Sequence, residues 1–527
     1  MDIFLFLSIL LTAFATLFAV TRQFHMLQQS SYFPSRYMDW LLGALGARAF
    51  FLAAGYVLSL LFLFAFEGFL PLFIFSSAQA FIMFLAALSG QKRAKKRLVF
   101  THRVIRLYTT VAVILFVPNL LFQIFGVSDN AAKIIFIVYT ALLGASPLPA
   151  LSAAVINSPI EKIIAGRYVN DARRILKANP EMAVIGITGS YGKTGTKYIL
   201  GRILSERFNV LITPESYNTL MGVVRTIRER LKPGTEIFVA EMGAKNPGDI
   251  KEICDLVHPD MGIITSIGPM HLSTFKTVEN IVKTKFELAG AVEAKQGKMY
   301  LCGDNEFIRA RKVNTQTVYY GSEQGNEITA ENIHVNKTGM TFDICRPELN
   351  FSVRTKLLGW HSVANILAAV AVALDLGIPV TDIQYAVSRL QPVPHRLELK
   401  PFINGSLLID DAYNANPAGS LEAAAVLARF TGMKKIAVTP GLVELGEAEY
   451  EHNYNLGLAL ADVADVIFLV GTERSKPLTQ AIGKTEFNPA NVHVEKTFSD
   501  ALETLRGMTD ANTVVLFEND LPDNYER

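Results

Sequence analysis

The chain has 527 residues and a formal net charge of +2, so it is long enough for three or four domains and shows no sign of a nucleic-acid partner. Half of its residues are hydrophobic, which is a high share for a soluble enzyme. The three cysteines, Cys254, Cys302 and Cys345, are odd in number, far apart and not in the spacing of a metal site. We expect them to be buried thiols in a reducing compartment.

The hydrophobic excess lies before residue 157. Five segments there are close to the ~20 residues with which a helix spans a bilayer, namely 3–20, 50–66, 69–88, 107–125 and 134–156. A secretory signal does not fit the first segment, because Asp2 stands where basic residues are expected and no small-residue cleavage site precedes Arg22. The sequence therefore predicts a five-helix transmembrane region over residues 1–156.

Basic residues set the orientation of these helices. They collect at 22–48, at 91–103 and after Lys162, and such segments lie on the cytoplasmic side of a cell membrane. Five spans then place the N-terminus outside and everything after residue 156 in the cytoplasm. The basic run from 91 to 106 has a second interpretation as a site for anionic lipid or lipid phosphate. Residues 157–181 form a predicted linker. Within it, 158–176 reads as an amphipathic helix that either lies on the bilayer or connects the membrane region to the soluble part of the chain.

Residues 183–207 predict a nucleotide site. A short apolar run is followed by a glycine-containing turn at 189–194 and by apolar residues at helical spacing, which is the order strand, loop, helix. In such a loop Lys193 reaches the outer phosphates and the Thr194 hydroxyl ligates Mg²⁺. The match to the general phosphate-loop pattern is imperfect, because Ile187 stands where a glycine is expected. Gly-Lys-Thr also occurs in ordinary turns, and the flanking strand and helix favour the nucleotide site.

The pattern after the loop predicts an α/β fold. Strand-like runs begin near 210, 237 and 262 and alternate with helical stretches, which indicates a parallel sheet with ligands at the carboxyl ends of its strands. Glu241 ends one strand and His271 follows the next, so both are candidate Mg²⁺ ligands, although a lone histidine is more often structural. Residues 298–358 read as a small β insertion in a central domain, 182–392. Alternation resumes at Leu407 and predicts a Rossmann-like domain over 393–527.

Six motifs in order between residues 184 and 516 resemble the Mur ligases, ATP-dependent amide ligases of peptidoglycan precursor synthesis. They are TGSYGKTGT at 188, EMGAKNPGDI at 241, SIGPMHLSTFKTVENIVKTKFEL at 266, GWHSVANILAA at 359, PHRLE at 394 and DDAYNANPAGS at 410. The resemblance implies a carboxylate–amine ligase that uses ATP and two Mg²⁺ ions and proceeds through an acyl phosphate.

The resemblance also implies roles for individual residues. Nucleotide binding falls to Gly189, Ser190, Gly192, Lys193, Thr194, Gly195 and Thr196 of the loop, with Asn365 at the adenine, Arg396 at a phosphate and Asp411 at the ribose. The metal ligands are Thr194, Glu241, His271 and a carbamate on Lys285, and the catalytic residues are Lys193, His271, Lys285 and Arg396. Asn218, Tyr413, Asn414 and Asn416 are assigned to substrate. Without the resemblance, Lys283 and Lys285 read as a solvated basic face.

The segments at 216–223 and 410–417 are closest to the branch that adds D-alanyl-D-alanine to a UDP-muramoyl tripeptide. Three features depart from it: Ser362 follows His361 where asparagine is usual, the C-terminus lacks a Lys-Gly-Ser-Arg ending, and predicted membrane helices stand where soluble members hold UDP. The acceptor is thus a nucleotide-linked or lipid-linked peptide, and the amine is an amino acid or dipeptide. Alternatives are a poly-γ-glutamate-like acceptor and a membrane scaffold that binds nucleotide without turnover. The helices either anchor the enzyme among membrane lipids or recognise the acceptor.

Overall fold

The structure is a computed structural model that describes residues 3–30, 98–125, 147–270, 272–412, 417–443 and 448–519, with isolated positions between 32 and 81 and residue 445. The chain divides into two compact units, Met1–Tyr168 and Val169–Arg527. Helices are numbered in chain order over the described residues.

The first unit is helical. It contains α1 (Ile3–Gln29), α2 (His102–Phe125) and the first part of α3 (Pro147–Lys177). Apolar side chains such as Phe24 and Leu107 are buried in one cluster between these helices. Three hydroxyl groups on α1 are also buried, those of Ser8, Thr12 and Thr16. Each donates to the carbonyl four residues earlier, so none of the three needs a partner outside the helix.

Among the described residues, one helix is long and apolar enough to cross a membrane, Phe6–Gln29. It contains most of the first predicted span, and α2 covers the fourth. The predicted spans 50–66 and, for the most part, 69–88 and 134–156 lie outside the described residues, as does the first part, 91–97, of the basic run 91–106. The five-helix region therefore stays a prediction.

The predicted amphipathic segment 158–176 is not a separate helix. It is the second half of α3, which continues unbroken through Pro159 although proline removes one backbone donor from a helix. The Asn157 amide, two residues before the proline, donates to Thr110 Oγ1 at 2.8 Å and to the Ala153 carbonyl at 2.9 Å, so it joins this part of α3 to α2. The boundary between the two units falls inside α3, before the linker end that the sequence predicted.

The second unit contains a nine-stranded sheet in the order β2-β3-β1-β4-β5-β6-β7-β8-β9. Strands β1 to β7 pair in parallel, and β8 and β9 continue the sheet in antiparallel pairing. The strands are β1 (Ala183–Thr188), β2 (Val210–Ile212), β3 (Ile237–Glu241), β4 (Met261–Ile264), β5 (Lys298–Cys302), β6 (Gln316–Gly321), β7 (Ile328–Asn336), β8 (Gly339–Arg346) and β9 (Leu349–Thr355).

The segment 298–358 is therefore not a separate insertion, contrary to the prediction. Strand β5 pairs with β4 and β6 in parallel, so it is part of the central sheet. Four of its five residues are buried, as expected of a parallel strand covered on both faces. The segment is rich in Val, Tyr and Thr, with Gly321, Gly325 and Gly339 between them, and this composition is typical of a small β element.

A second sheet of six strands has the order β10-β11-β15-β12-β13-β14 and is parallel except for β10. Its strands are β10 (Glu398–Pro401), β11 (Leu407–Asp411), β12 (Lys434–Thr439), β13 (Val466–Val470), β14 (Val492–Glu495) and β15 (Thr513–Glu518). The strands predicted after Leu407 are all present. The α/β alternation predicted from the sequence is confirmed in both sheets.

The helices of the second unit connect the strands of the two sheets. They are α4 (Lys193–Leu204), α5 (Leu220–Arg230), α6 (Asp249–Val257), α7 (Leu272–Phe275), α8 (Val278–Ala294), α9 (Glu306–Arg309), α10 (Trp360–Asp375), α11 (Val380–Ser388), α12 (Pro417–Ala428), α13 (Glu449–Val463), α14 (Lys476–Ile482) and α15 (Phe498–Arg506). Helix α10 is buried along most of its length. The carboxyl ends of β1, β3 and β4 lie together at one edge of the first sheet, where the candidate site is found.

Candidate active site

The phosphate loop joins the end of β1 to the start of α4. Gly189 has a φ of +149°, and an added Cβ would lie 2.1 Å from the Thr265 hydroxyl. A side chain would collide with the residue that follows β4, so this position requires glycine. Gly192 has a φ of +81° and directly precedes α4. The loop therefore leaves an open cradle at a helix N-terminus, where backbone N–H groups favour an anion.

Ser190 holds the loop against the segment after β4. Its backbone N–H donates to the Ser266 carbonyl at 2.6 Å, and its hydroxyl exchanges hydrogen bonds of 3.1 Å with the backbone of Gly268. The side chain is only 3% exposed. Both polar groups of Ser190 are thus used inside the protein, and in this structure they give the loop its shape.

Lys193 begins α4 and lies over the loop. Its Nζ donates to the carbonyls of Gly189 at 2.8 Å and Ser190 at 3.0 Å. Burial lowers the pKa of Lys193, and the carboxylate of Glu241 acts in the opposite direction. The lysine is therefore held beside the cradle.

Glu241 ends β3 next to Ile187 of β1, and its side chain is 1% exposed. Thr194 Oγ1 is 3.0 and 3.1 Å from its two carboxylate oxygens. Asn218 Nδ2 donates at 3.0 Å and Lys197 Nζ lies at 2.9 Å. A buried carboxylate needs such partners, because it has lost its hydration. The structure thus brings together three of the predicted residues, Thr194, Asn218 and Glu241.

Lys197 belongs to this cluster, and the sequence analysis did not identify it. Its side chain is fully buried, and Nζ also donates to the Glu215 carbonyl at 2.6 Å. One signal was available: Lys197 follows Lys193 by four residues on the same helix, so both face the same side. A lysine on the buried face of a helix needs an anionic partner.

Lys285 lies on α8 and is 4% exposed. Burial and the neighbouring Lys193 lower its pKa from 10.5 to about 7, although the carboxylates of Asp249 and Glu287 act against this shift. Glu287 is itself engaged, since it accepts hydrogen bonds from the backbone N–H groups of Gly248 and Lys251 at 2.8 Å. The interpretation of Lys285 as part of a solvated basic face is therefore wrong.

Asn365, on α10, contacts the phosphate loop. Its Oδ1 accepts a hydrogen bond from Thr196 Oγ1 at 3.0 Å. A Cβ added at Gly192 or Gly195 would lie 2.7 or 2.8 Å from the Asn365 amide, so the amide packs directly on the loop backbone. The predicted adenine residue is thus placed against the phosphate cradle.

Arg396 and Asp411 form a second group at the edge of the other sheet. Arg396 lies between two residues with left-handed backbone, His395 with a φ of 60° and Leu397 with a φ of 46°. The Asp411 carboxylate accepts from the Leu397 N–H at 3.1 Å. Burial raises the pKa of Asp411 to about 6, against the opposing effect of Arg396.

Helix α10 links the two groups. At its start, the Trp360 N–H donates to the Glu422 carboxylate on α12, and the exposed His361 interacts electrostatically with Glu422 and Arg396. One turn further on, Asn365 contacts the phosphate loop. The described site therefore consists of the phosphate loop with Glu241, and of the Arg396 segment, joined through one helix.

Four predicted residues lie outside the described part of the chain. They are His271, Tyr413, Asn414 and Asn416. Their assignments to metal and substrate stay predictions.

The residues present fit a magnesium nucleotide. Among the described residues no three His, Cys, Asp or Glu side chains are grouped to hold a metal ion. Mg²⁺, however, commonly takes one or two protein oxygens and completes its shell with phosphate and water. Thr194, at the N-terminus of α4, and Glu241 are in direct hydrogen bond and meet this requirement.

The Mur ligase middle domain matches residues 187–373, and the Mur ligase glutamate ligase domain matches residues 395–518. The UDP-N-acetylmuramoyl-tripeptide–D-alanyl-D-alanine ligase of Bacillus subtilis (strain 168) is 29% identical over 337 residues, which cover 64% of this chain and 72% of that enzyme. The enzyme of the same name from Escherichia coli (strain K12) is 31% identical over 307 residues, or 58% of this chain and 67% of the relative.

Solved structures agree with these matches. The MurF ligase of Thermotoga maritima, in complex with ADP, superimposes with a TM-score of 0.57 at 29% identity and covers 67% of this chain and 80% of its own. A MurF structure from Acinetobacter baumannii gives a TM-score of 0.56 at 28% identity, with shares of 67% and 77%. The chain belongs to the Mur ligase family and is an ATP-dependent, amide-forming ligase that uses Mg²⁺.

Proposed function

We propose that this enzyme adds D-alanyl-D-alanine to a UDP-N-acetylmuramoyl tripeptide. The names of the relatives in Bacillus subtilis and Escherichia coli support this substrate pair. The observation that carries the chemistry is the hydrogen bond between Thr194 and the buried Glu241 beside the phosphate loop. It supplies the parts that ATP activation of a carboxylate requires, which are a phosphate site and a metal-binding carboxylate.

The proposed reaction has two steps. A carboxylate oxygen of the tripeptide attacks the γ-phosphorus of ATP, so that an acyl phosphate forms and ADP leaves. The dipeptide amine then attacks the acyl carbon, the amide bond forms, phosphate leaves and the amine proton passes to solvent. Holding the reactants and stabilising the developing charge is most of what the protein must do in such a reaction.

We assign roles to the residues of the site on this basis. Lys193 binds the outer phosphates, and Arg396 and Asp411 bind a phosphate and the ribose from the second sheet. Thr194 and Glu241 hold Mg²⁺, which when bound neutralises phosphate charge. Because these residues come from two sheets, the orientation of the Arg396 segment controls whether the site is complete.

Lys285 is proposed to carry a carbamate. A lysine with a pKa near 7 is partly neutral at physiological pH, and the neutral amine is the form that attacks CO₂ with release of one proton. The carbamate would add a carboxylate beside Glu241 and, with His271, provide for a second Mg²⁺. Asn218, Tyr413, Asn414 and Asn416 are proposed to bind the peptide substrates.

The first unit is proposed to anchor the enzyme in the cell membrane, with the ligase on the cytoplasmic side. Helix α1 has the required length and composition, and α3 exposes apolar side chains that water would not favour, including Val155, Ile156 and Ile163. A second possibility is that these helices present a lipid-linked acceptor. Ligation of UDP-linked and lipid-linked peptides by the full chain and by the unit Val169–Arg527 would separate the two, because a mere anchor is dispensable for the UDP-linked acceptor.

The substrate proposal is tested by release of ADP and phosphate with a panel of acceptors and amines. We expect turnover with the UDP-linked tripeptide and D-alanyl-D-alanine, and little with single amino acids or poly-γ-glutamate. Lys193→Ala serves as the control for contaminating ATPase activity. Turnover only with a lipid-linked or polyglutamate acceptor would replace the proposed substrate, and absence of turnover with every acceptor would favour a nucleotide-binding scaffold.

A further inference from the structure

Lys197 and Glu241 form a fully buried ion pair within the proposed metal site. Nζ lies 2.9 Å from Oε2, and the two side chains are 0% and 1% exposed. An ammonium group this close to a carboxylate, away from water, cancels most of its charge. A cation that approaches Glu241 therefore meets a neutral pair instead of a free carboxylate.

The other described groups at the site do not restore a negative charge. Lys193 interacts electrostatically with Glu241, and no group of three metal-binding side chains is present among the described residues. Thr194 and Asn218 contribute neutral donors to the same carboxylate. While Lys285 carries no carbamate, a free divalent cation is consequently repelled by the ammonium groups of Lys193 and Lys197 and attracted by one carboxylate.

We propose that Lys197 is an internal counter-ion of Glu241 that makes divalent-metal binding depend on the nucleotide. The inference rests on the proposed assignment of Thr194 and Glu241 to Mg²⁺. A triphosphate brings several negative charges to the cradle and reverses the sign of the local field. The metal then binds together with the nucleotide, and the site does not bind free metal in its absence.

Lys197 also positions the loop that carries Asn218. Its Nζ donates to the carbonyl of Glu215, a residue with left-handed backbone, at 2.6 Å. Three elements thus meet at one ammonium group: helix α4, the end of β3 and the loop after β2. A purely structural role would predict that removal of Lys197 weakens every ligand alike. The counter-ion role predicts opposite changes for free metal and for activity.

The test is Mn²⁺ binding to the full chain, followed by the loss of the electron paramagnetic resonance signal of free Mn²⁺, with and without a non-hydrolysable ATP analogue. The wild type should bind Mn²⁺ at least about tenfold more tightly with the analogue. Lys197→Met should bind Mn²⁺ alone at least about tenfold more tightly than the wild type, while its ligation rate falls. Lys197→Arg, which keeps the charge, should retain the wild-type dependence on nucleotide. Lys251→Met, at an exposed lysine, is the matched control.

The inference is overturned if the wild type binds Mn²⁺ equally well without nucleotide, or if folded Lys197→Met binds free Mn²⁺ no more tightly. Lys197→Gln, uncharged but still a donor, replaces the methionine variant if that variant does not fold. Glu241→Gln separates this inference from the proposed function. If it leaves Mn²⁺ binding with nucleotide unchanged, the metal assignment itself fails. If it abolishes that binding while Lys197→Met has no effect, only the counter-ion role fails.

Discussion

Replacement of Lys285 by methionine should make the protein more stable and much less active. Lys285 is 4% exposed, and burial holds the pKa of its amine near 7, well below the 10.5 of an exposed lysine. The unfolded chain therefore binds a proton at Lys285 more readily than the folded chain does. This difference lowers the free energy of unfolding at neutral pH. Methionine has a similar length and carries no charge, so the cost disappears with the amine.

The size of the effect follows from the shift in pKa. At pH 7 the shift from 10.5 to about 7 corresponds to about 4 kcal/mol as an upper bound. Between about pH 7 and 10.5 the unfolded chain holds more protons than the folded chain, so wild-type stability rises with pH in this window. The advantage of Lys285→Met should be largest at and below neutral pH and should vanish near pH 10.5. After changes in packing are included, we expect Lys285→Met to raise the free energy of unfolding by at least about 1 kcal/mol at pH 7.

Thermal unfolding in CO₂-free buffer over a series of pH values measures the stability, and phosphate release measures the activity. Added bicarbonate should stabilise the wild type but not the variant, because only the wild type forms the carbamate. Lys283→Met, at an exposed position of the same helix, is the matched control and should change neither quantity. A less stable variant at pH 7, or a fully active one, would refute the reasoning from burial.

Two further predictions concern the nucleotide. Lys193→Ala should fold normally but lose at least about 100-fold in turnover, because it removes a positive charge from the outer phosphates. Phosphate release measures turnover, and Lys251→Ala is the control. Near-normal turnover would contradict the assignment of Lys193 to the phosphates. Asp411→Asn should weaken nucleotide binding and raise the unfolding temperature above pH 6. The pKa of Asp411 is about 6 in the folded chain and 3.8 ordinarily, so the wild type loses stability as pH rises between these values. If the stability of Asp411→Asn fell equally with pH, the loss would not come from Asp411.

The parts of the site that the sequence predicted lie on contiguous motifs. Gly189, Lys193 and Thr194 belong to one strand–loop–helix segment, whose chemistry depends on local spacing. Glu241 was predicted from its position at a strand end, because the carboxyl ends of parallel strands share one edge. The alternation of apolar runs and helical stretches also predicted the α/β order of both sheets, except for the place of β5 to β9 in the first sheet.

The parts that were missed depend on pairing between distant residues. Lys197 is explained only by its contact with Glu241, and a single sequence does not show which carboxylate a buried lysine meets. Strand β5 had the composition of a small β element, and its place in the central sheet depends on its neighbours β4 and β6. The sequence predicted a span that ends at residue 156 and an amphipathic helix over 158–176, whereas the structure has one continuous helix there, which Asn157 joins to Thr110 of α2.

The end of α3 provides a last prediction, about where the ligase begins. The sequence placed the start of the ligase near residue 182, yet Ala172 is fully buried in the core of the second unit, and Val169, Ile175 and Leu176 pack against that core. Asp171 is also hydrogen-bonded to Arg228 on α5 at 2.8 Å. Residues 169–177 thus contribute apolar burial to the ligase itself.

A fragment that starts at residue 169 should therefore unfold at a higher temperature than one that starts at 180. Loss of four apolar side chains from the core, three of them only partly buried, costs about 3 kcal/mol as an upper estimate. Within the longer fragment, Ala172→Asp should remove the advantage, since it buries an unpaired charge, whereas Arg173→Asp on the exposed face of the same helix should not. Both fragments keep the phosphate loop and should bind ATP. Equal unfolding temperatures would mean that the last two turns of α3 are not part of the ligase core, and the boundary would move back to the linker that the sequence predicted.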